Sequence, residues 1–435
     1  MTSDLLPRNR YPKPAHQVVL NISDRARDLP AAASGTNSVL PRGNGRSYGD
    51  VCLNDGGTLL VTRRLDRFIA WDRSTGRLIC ESGVLLADIL KLVVPQGWFL
   101  PVTPGTRLVS VGGAIANDVH GKNHHVAGSF GHHVIRFELL RTDGERKLCV
   151  SGDDWYRASV GGLGLTGLIT WAELQLMPVA NSGMLTESLR FSSLADFRPL
   201  NRDAETRWPY TVSWIDCLAV GRARGRGILM AGAHASPLAD PPEGRVGRKS
   251  MPFDPPFSLI NRISLSMFNV AYYHRPLPKG PKLVHYNPYF YPLDAIQNWN
   301  RIYGQRGFFQ YQCVIPPNAA EDAIQALLTR ISSSGMGSFL AVLKTFGRHH
   351  PPAGMLSFPR PGATLALDFP NLGAKCESLF RQLDSIVLEA EGALYPAKDA
   401  RMSSEMFRHS FPAWEAFSQY IDPCISSGFW RRVVE

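Results

Sequence analysis

The sequence predicts an α+β protein of two domains, and three observations carry that expectation. Its 435 residues are enough for two domains with a large buried core. From residue 38 to about residue 177, short apolar runs alternate with glycine turns, without the regular strand–helix alternation of a doubly wound sheet. Past Pro178 the pattern shifts to a second α+β unit with longer amphipathic stretches, over residues 183–390.

Composition narrows the class. Hydrophobic residues make up 44% and charged residues 19%, which excludes a disordered or fibrous chain. No run reaches the roughly 18 apolar residues of a membrane span. Residues 85–102 come nearest and are broken by Asp88, Lys91, Pro95 and Gln96. The segment MTSDLLPRNRYPKP has no apolar core and no small-residue cleavage site, so no Sec leader is expected. A cytoplasmic or peripherally membrane-associated bacterial protein is. The net charge of +10 suits anionic lipid, a phosphorylated substrate or plain solubility. Nucleic acid is not an expected partner, because zinc-finger spacing, an RNP motif and a long basic helix are all missing. Seven scattered cysteines, an odd number without CxxC, point to free thiols in a reducing compartment.

The elements follow in order. VTRRLDRFIAWDRSTGRLICESG reads as strand, turn, strand, with residues 74–76 turning the chain. Residues 85–96 read as a short helix with Leu86, Ile89, Leu90 and Val93 on one face. Strands are expected over 134–140, 146–150 and 168–177. In the second unit, helices are expected over 319–332 (Ala323, Ile324, Leu327, Ile331) and 375–389 (Leu379, Leu383, Ile386, Val387). Residues 236–257, rich in Pro, Gly and positive charge, read as a mobile surface loop. The stretch after it is amphipathic, with Ile260, Ile263, Met267 and Val270 about one helical face. That stretch is either a lid on its own protein or a lipid-docking segment.

Three glycine-rich stretches stand in the first half. PRGNGRSYGD, residues 41–50, spaces Gly43, Gly45 and Gly49 so that backbone N–H groups can turn inward as a phosphate nest. It is not a Rossmann motif, because a turn and a strand follow it, and it lacks the Gly-Lys-Ser/Thr of a P-loop. TPGTRLVSVGGAIANDVHGKNHH, residues 103–125, offers close approach at Gly112 and Gly113 and hydrogen bonds from Ser110 and Asn117. SVGGLGLTGLIT, residues 159–170, again sets small residues between apolar ones. Together they suggest one extended cofactor lying across all three.

These residues resemble the FAD-binding domain of vanillyl-alcohol-oxidase-type flavoenzymes, which have a PCMH-type fold. HGKNHHVAGSFGHHV, YPLDAIQNWNRIYG, GFFQYQCVIP, SFLAVLKTFG, LSFPRPG and LYPAKDAR resemble a narrower branch, the decaprenylphosphoryl-ribose oxidases, over most of the chain after residue 38. The resemblance implies an FAD-binding domain from residues 1–182 and a returning segment 391–435. It implies a substrate domain over 183–390 whose antiparallel sheet covers the flavin. The implied reaction is oxidation of the ribose C2 hydroxyl of a polyprenyl-phosphate-linked pentose to the ketone. It is the first half of an epimerisation that an NADH-dependent keto-reductase completes to the arabinose form.

The resemblance also assigns residues. It places FAD on Pro41, Arg42, Gly43, Asn44, Gly45, Arg46, Ser47, Tyr48, Gly49, Gly105, Ser110, Val111, Gly112, Gly113, Asn117, Asp118, Val119 and His120. Ile169 falls near the adenine and Tyr395 beside the flavin or substrate. Many relatives bond their flavin covalently to a histidine in the His120 block, whereas this branch holds FAD non-covalently. The pairs His124–His125 and His132–His133 invite a metal reading, but no carboxylate or cysteine spacing supports one. Lys398 in LYPAKDAR is the expected catalytic lysine, since an ammonium in a water-poor site strongly stabilises developing negative charge, and the resemblance makes Tyr395 and His120 catalytic candidates beside it. Gln310 and Gln312 alternate along one strand face and suit sugar hydroxyls. Lys344 lies in an apolar strand, costly unless it meets an anion such as the substrate phosphate. Trp214, Thr364 and Tyr291 complete the expected substrate residues. Mycobacterial members carry cysteine at the position of Ala366 and asparagine at that of Thr364, which leaves the pocket detail and thiol-directed inhibition open. Two other readings stay open: an oxidase of a soluble sugar, alditol or aldonolactone, and a non-catalytic flavin- or polyprenyl-phosphate-binding protein.

Overall fold

The computed structural model describes residues 5–14, 18–29, 38–242 and 249–434. Residues 243–248 of the loop expected over 236–257 lie outside the described residues.

Three sheets organise the chain. A parallel sheet sets Thr58–Val61 between Val18–Asn21 and Val39–Arg42. An antiparallel five-stranded sheet runs Phe68–Asp72, Arg77–Glu81, Leu168–Gln175, Val134–Leu140, Arg146–Val150. Its first hairpin turns at the expected place, with Gly76 at φ +72°, which glycine tolerates without steric cost. The helix Leu86–Val93 buries Leu86, Ile89, Leu90 and Val93 against this part of the molecule.

The third sheet has eight strands. Their order is Lys282–His285, Gly183–Phe191, Gly227–His234, Tyr210–Ile215, Val342–Phe346, Gly362–Pro370, Phe308–Ile315, Ala393–Leu394. Its period of two divides each central strand between two faces. In Phe308–Ile315 the side chains of Phe309, Tyr311, Cys313 and Ile315 enter the core, under the helices Ala320–Ser334 and Ala374–Glu389. Gln310 and Gln312 point the other way, into a cavity. Gly362–Pro370 repeats the pattern, with Ala363, Leu365, Leu367 and Phe369 in the core and Thr364, Ala366 and Asp368 in the cavity.

The last stretch of chain ties the sheets together. Ala393–Leu394 pairs with Phe308–Ile315 at the edge of the large sheet. The chain then turns through Pro396–Lys398, where the Tyr48 N–H donates to the Ala397 carbonyl over 2.9 Å. Farther on, the Val39 N–H donates to the Cys424 carbonyl over 2.8 Å, at the edge of the parallel sheet. The final helix Gly428–Val434 buries Phe429 and Val433. Its Arg432 guanidinium donates to both Asp50 oxygens, at 3.0 and 2.7 Å, and to Asp399 at 3.1 Å. All seven cysteines are free thiols.

Candidate active site

A cavity of about 860 Å³ lies between the glycine loops and the inner face of the large sheet, at the top of the range for ligand pockets. Its first wall is built on the glycine-rich loops. Strand Val39–Arg42 delivers the chain into the loop Gly43–Tyr48, and Pro41, Arg42, Gly43, Asn44, Gly45, Arg46, Ser47 and Tyr48 all line the cavity. Ser110 caps the short helix Val111–Ala116 by accepting from the Gly113 N–H. A side chain on Gly105 would meet no atom within 4 Å, and one on Gly43 would strike the Ser110 hydroxyl. The smallness of these residues thus keeps the groove open.

The residues present fit FAD. Ser82 Oγ, Asn117 Oδ1 and Arg46 Nε are buried, lack a hydrogen-bond partner and belong to the cavity lining. Buried polar atoms are rarely left unpaired, so these await a polar ligand. Gly112, Gly113, Val119, His120, Ile169 and Tyr395 complete the lining on this side.

The opposite wall is made of side chains. Antiparallel pairing sets Trp214 beside Val342, Val342 beside Ala366 and Ala366 beside Gln312, giving one row across four strands. The next row pairs Lys344 with Thr364. Lys344 Nζ lies 2.8 Å from His120 Nδ1 and donates to the Gly121 carbonyl over 2.7 Å. The Gln312 carboxamide lies 3.1 Å from His120 Nε2 and 3.4 Å from the Thr364 hydroxyl. Burial, reinforced by Lys344, drives His120 well below the ordinary imidazole range, so the ring is neutral. Both ring nitrogens are engaged by residues of the large sheet.

Lys398 enters from the C-terminal turn, its ammonium 4.0 Å from the Tyr48 ring centroid. Among the described residues it forms no ion pair. Burial lowers it to about 8, with Asp368 opposing that shift. Asp368, buried on the large sheet, accepts from the Gln310 amide over 2.6 Å, and burial raises it to about 7. Burial also brings both Lys344 and Lys122 down to about 7. Lys122 Nζ donates to the Tyr289 carbonyl and sits 4.2 Å over the Tyr289 ring.

Four expected residues stand elsewhere. Tyr291 donates or accepts with the Thr103 hydroxyl over 2.6 Å inside the core, behind the cavity wall that Tyr289 and Phe290 form. Val111 is fully buried in the helix it begins. Asp118 accepts from the Gly131 N–H and the Ser357 hydroxyl, at 2.9 and 2.6 Å, and braces the loop behind the cavity. Gly49 faces the C-terminal segment, where a Cβ would fall 1.8 Å from the Asp399 carbonyl oxygen. Trp214 lines the cavity while its indole N–H donates to the Phe339 carbonyl over 2.8 Å. Tyr395 stacks on Phe358, ring centroids 4.5 Å apart, and donates to the Asn117 carbonyl over 2.9 Å. Sequence reasoning missed Arg8, Lys122 and Asp368, all in the lining. Arg8 and Lys122 carried no local signal, and Asp368 only a charge at the end of an apolar run.

Comparison with known proteins agrees with this geometry. Residues 24–150 match the FAD binding domain family. Decaprenylphosphoryl-beta-D-ribose oxidase of Mycolicibacterium smegmatis is 35% identical over 410 residues, 90% of this chain and 88% of that one. An uncharacterized protein of Streptomyces coelicolor is 33% identical over 78% of this chain and 96% of its own length. The glycolate oxidase subunit GlcD of Bacillus subtilis is 27% identical over 36% of each chain. The chain belongs to the decaprenylphosphoryl-β-D-ribose oxidase family of FAD-dependent oxidoreductases.

Proposed function

We propose that the protein oxidises the ribose C2 hydroxyl of a polyprenyl-phosphoryl-β-D-ribofuranose to the 2-keto sugar. The observation that carries this reading is the placement of Lys398, Asp368, His120, Gln312 and Lys344 around one cavity that the flavin loops also line. FAD held there supplies a two-electron acceptor for the hydrogen on the sugar carbon. Residues 1–182 and 391–435 supply the flavin side in this reading, and 183–390 the substrate side.

Each side chain then has a task. Gln312 and Thr364 bind sugar hydroxyls and set the carbon in register with the acceptor. The Lys398 ammonium holds the reacting oxygen and the negative charge that builds beside it. The hydroxyl proton passes to the Asp368 carboxylate, which burial raises to about 7 against the opposing charge of Lys398. Lys344 and Lys122 receive the substrate phosphate, which relieves the cost of burying their charge. Because both His120 nitrogens are already bonded, no histidine link to the flavin forms, and FAD is held non-covalently. Denaturation and precipitation should leave all of the flavin in the supernatant.

The 2-keto product calls for an NADH-dependent keto-reductase to complete the epimerisation, and the lipid-linked substrate calls for peripheral membrane contact. The test is an anaerobic absorbance spectrum of the FAD-loaded protein before and after adding polyprenyl-phosphoryl ribose. Bleaching by that compound, and not by free pentoses, alditols or aldonolactones, is the expected result. Bleaching by the free sugars alone moves the substrate to a soluble compound. No bleaching by any of them leaves a flavin-binding protein without this chemistry.

A further inference from the structure

The helix Arg262–His274 has two apolar faces, and only one is covered. Leu265, Asn269 and Tyr273 are buried against the protein. Ile263, Met267 and Val270, at i, i+4 and i+7, form a second stripe that stands 73%, 69% and 47% exposed. Phe257 beside the helix start is 69% exposed. Such a contiguous apolar surface costs free energy in water and marks a place of interaction.

Two observations say what covers it. The helix also builds the cavity: Phe268, Tyr272 and Arg275 belong to the lining. A second, almost wholly apolar groove of about 310 Å³ runs beneath the start of the helix between Leu259, Ile260, Leu265 and Ile302. It shares Phe268 and Phe339 with the main cavity. The groove and the cavity thus share part of their lining, and the exposed stripe lies on the same helix. The charge along this stretch is cationic: residues 255–293 hold Arg262, Arg275, Lys279 and Lys282 and neither Asp nor Glu, the flanking Asp254 is paired with Arg10 and Arg301 and Asp294 accepts from Thr106 and the Arg107 N–H, and Asp216, which accepts from Asn269, is buried. Arg262, Lys279 and Lys282 are exposed. Two copies of so uniformly cationic a face repel one another, whereas an anionic lipid surface attracts it.

We propose that the stripe Ile263, Met267 and Val270 lies in the interface of an anionic bilayer, with the flanking cations on the headgroups and the cavity opening onto the acyl layer. This rests on the lipid-linked substrate proposed above, and it specifies how that substrate reaches the cavity without leaving the membrane. None of the three stripe residues lines the cavity.

The experiment uses the FAD-loaded full chain with phosphatidylglycerol–phosphatidylcholine vesicles and with phosphatidylcholine vesicles alone. Binding to the anionic vesicles at low salt is expected, weakened by salt and at least tenfold weaker on the neutral ones. The double variant Ile263→Asp/Met267→Asp should lose binding at least tenfold. It should keep its flavin spectrum and its bleaching by a water-soluble, short-chain polyprenyl-phosphoryl ribose. No vesicle binding by the wild type, equal binding to both compositions, or unchanged binding of the double variant would overturn the proposal. So would a wild-type dimer that the double variant splits into monomers on sedimentation. Bleaching is read without vesicles, so failure of the substrate reading and failure of the docking reading are told apart.

Discussion

The wall formed by residues 41–48 and 105–113 is built on glycine-rich loops, whereas the wall formed by the large sheet presents side chains at every second position. The first wall depends on backbone path, and its glycines tolerate no added atom where space is filled. The second depends on residue identity, since a strand keeps its path when an outward side chain changes. On the proposed function, cofactor binding resides in the shape of the chain, and substrate choice in a replaceable set of side chains.

Substitutions can break or sharpen this contrast. The largest effect is expected at Lys398, which serves the reaction and neither wall's shape. Lys398→Ala should slow anaerobic bleaching at least about 10²–10³-fold, the cost of losing one preorganised charge-stabilising donor, with flavin content unchanged. Gly49→Val should act on shape alone. The residue has φ +63° and a Cβ would fall 1.8 Å from Asp399 O, so strain of about 1–3 kcal/mol plus a backbone clash should lower both flavin content and thermal midpoint. A Gly49→Val protein that purifies with full flavin would refute the shape argument. On the sheet wall, Lys344→Met should raise KM for the phosphorylated substrate, by about ten- to a hundredfold if a charge-assisted hydrogen bond of roughly 1.5–3 kcal/mol is lost. A smaller change in kcat should accompany it, because binding to ground and transition states falls together. The smallest effect is a proton count. Lys344 and Lys122 stand at about 7 when buried without an anion, so near pH 8 they are mostly neutral. A bound phosphate raises them, and binding should take up a fraction of a proton to about one proton. Titration calorimetry in two buffers of different ionisation enthalpy measures it; proton release would reverse the assignment.

Both walls were legible to different degrees. The strand Phe308–Ile315 announced itself, because Gln310 and Gln312 alternate with core residues and the structure turns both into the cavity. The helix Leu86–Val93 was equally plain from its apolar spacing. The helix Val111–Ala116 was hidden by Gly112 and Gly113, each costing about 1 kcal/mol of helix propensity, and only the Ser110 cap hinted at it. Asp368 was illegible as a site residue because its meeting with Gln310 depends on the register of two strands, which no local pattern sets. Val111, Asp118 and Tyr291 belong to the same stretches of sequence but do not line the cavity. A motif is continuous in sequence, but the chain turns only some of its residues toward the ligand and spends the rest on support.

Arg432 binds Asp50, beside the flavin loop, and Asp399, beside Lys398, and the first of these contacts joins residues 382 positions apart. During synthesis the ribosome therefore emits the glycine loops of the cradle hundreds of residues before Tyr395 and the Lys398 ammonium that complete the lining. A prematurely terminated product carries the cradle but never Lys398, so by this assignment it is catalytically silent and releases no stray ketone. By the same assignment, competence arrives with residues 395–432, in a step that also fastens them to the flavin loop.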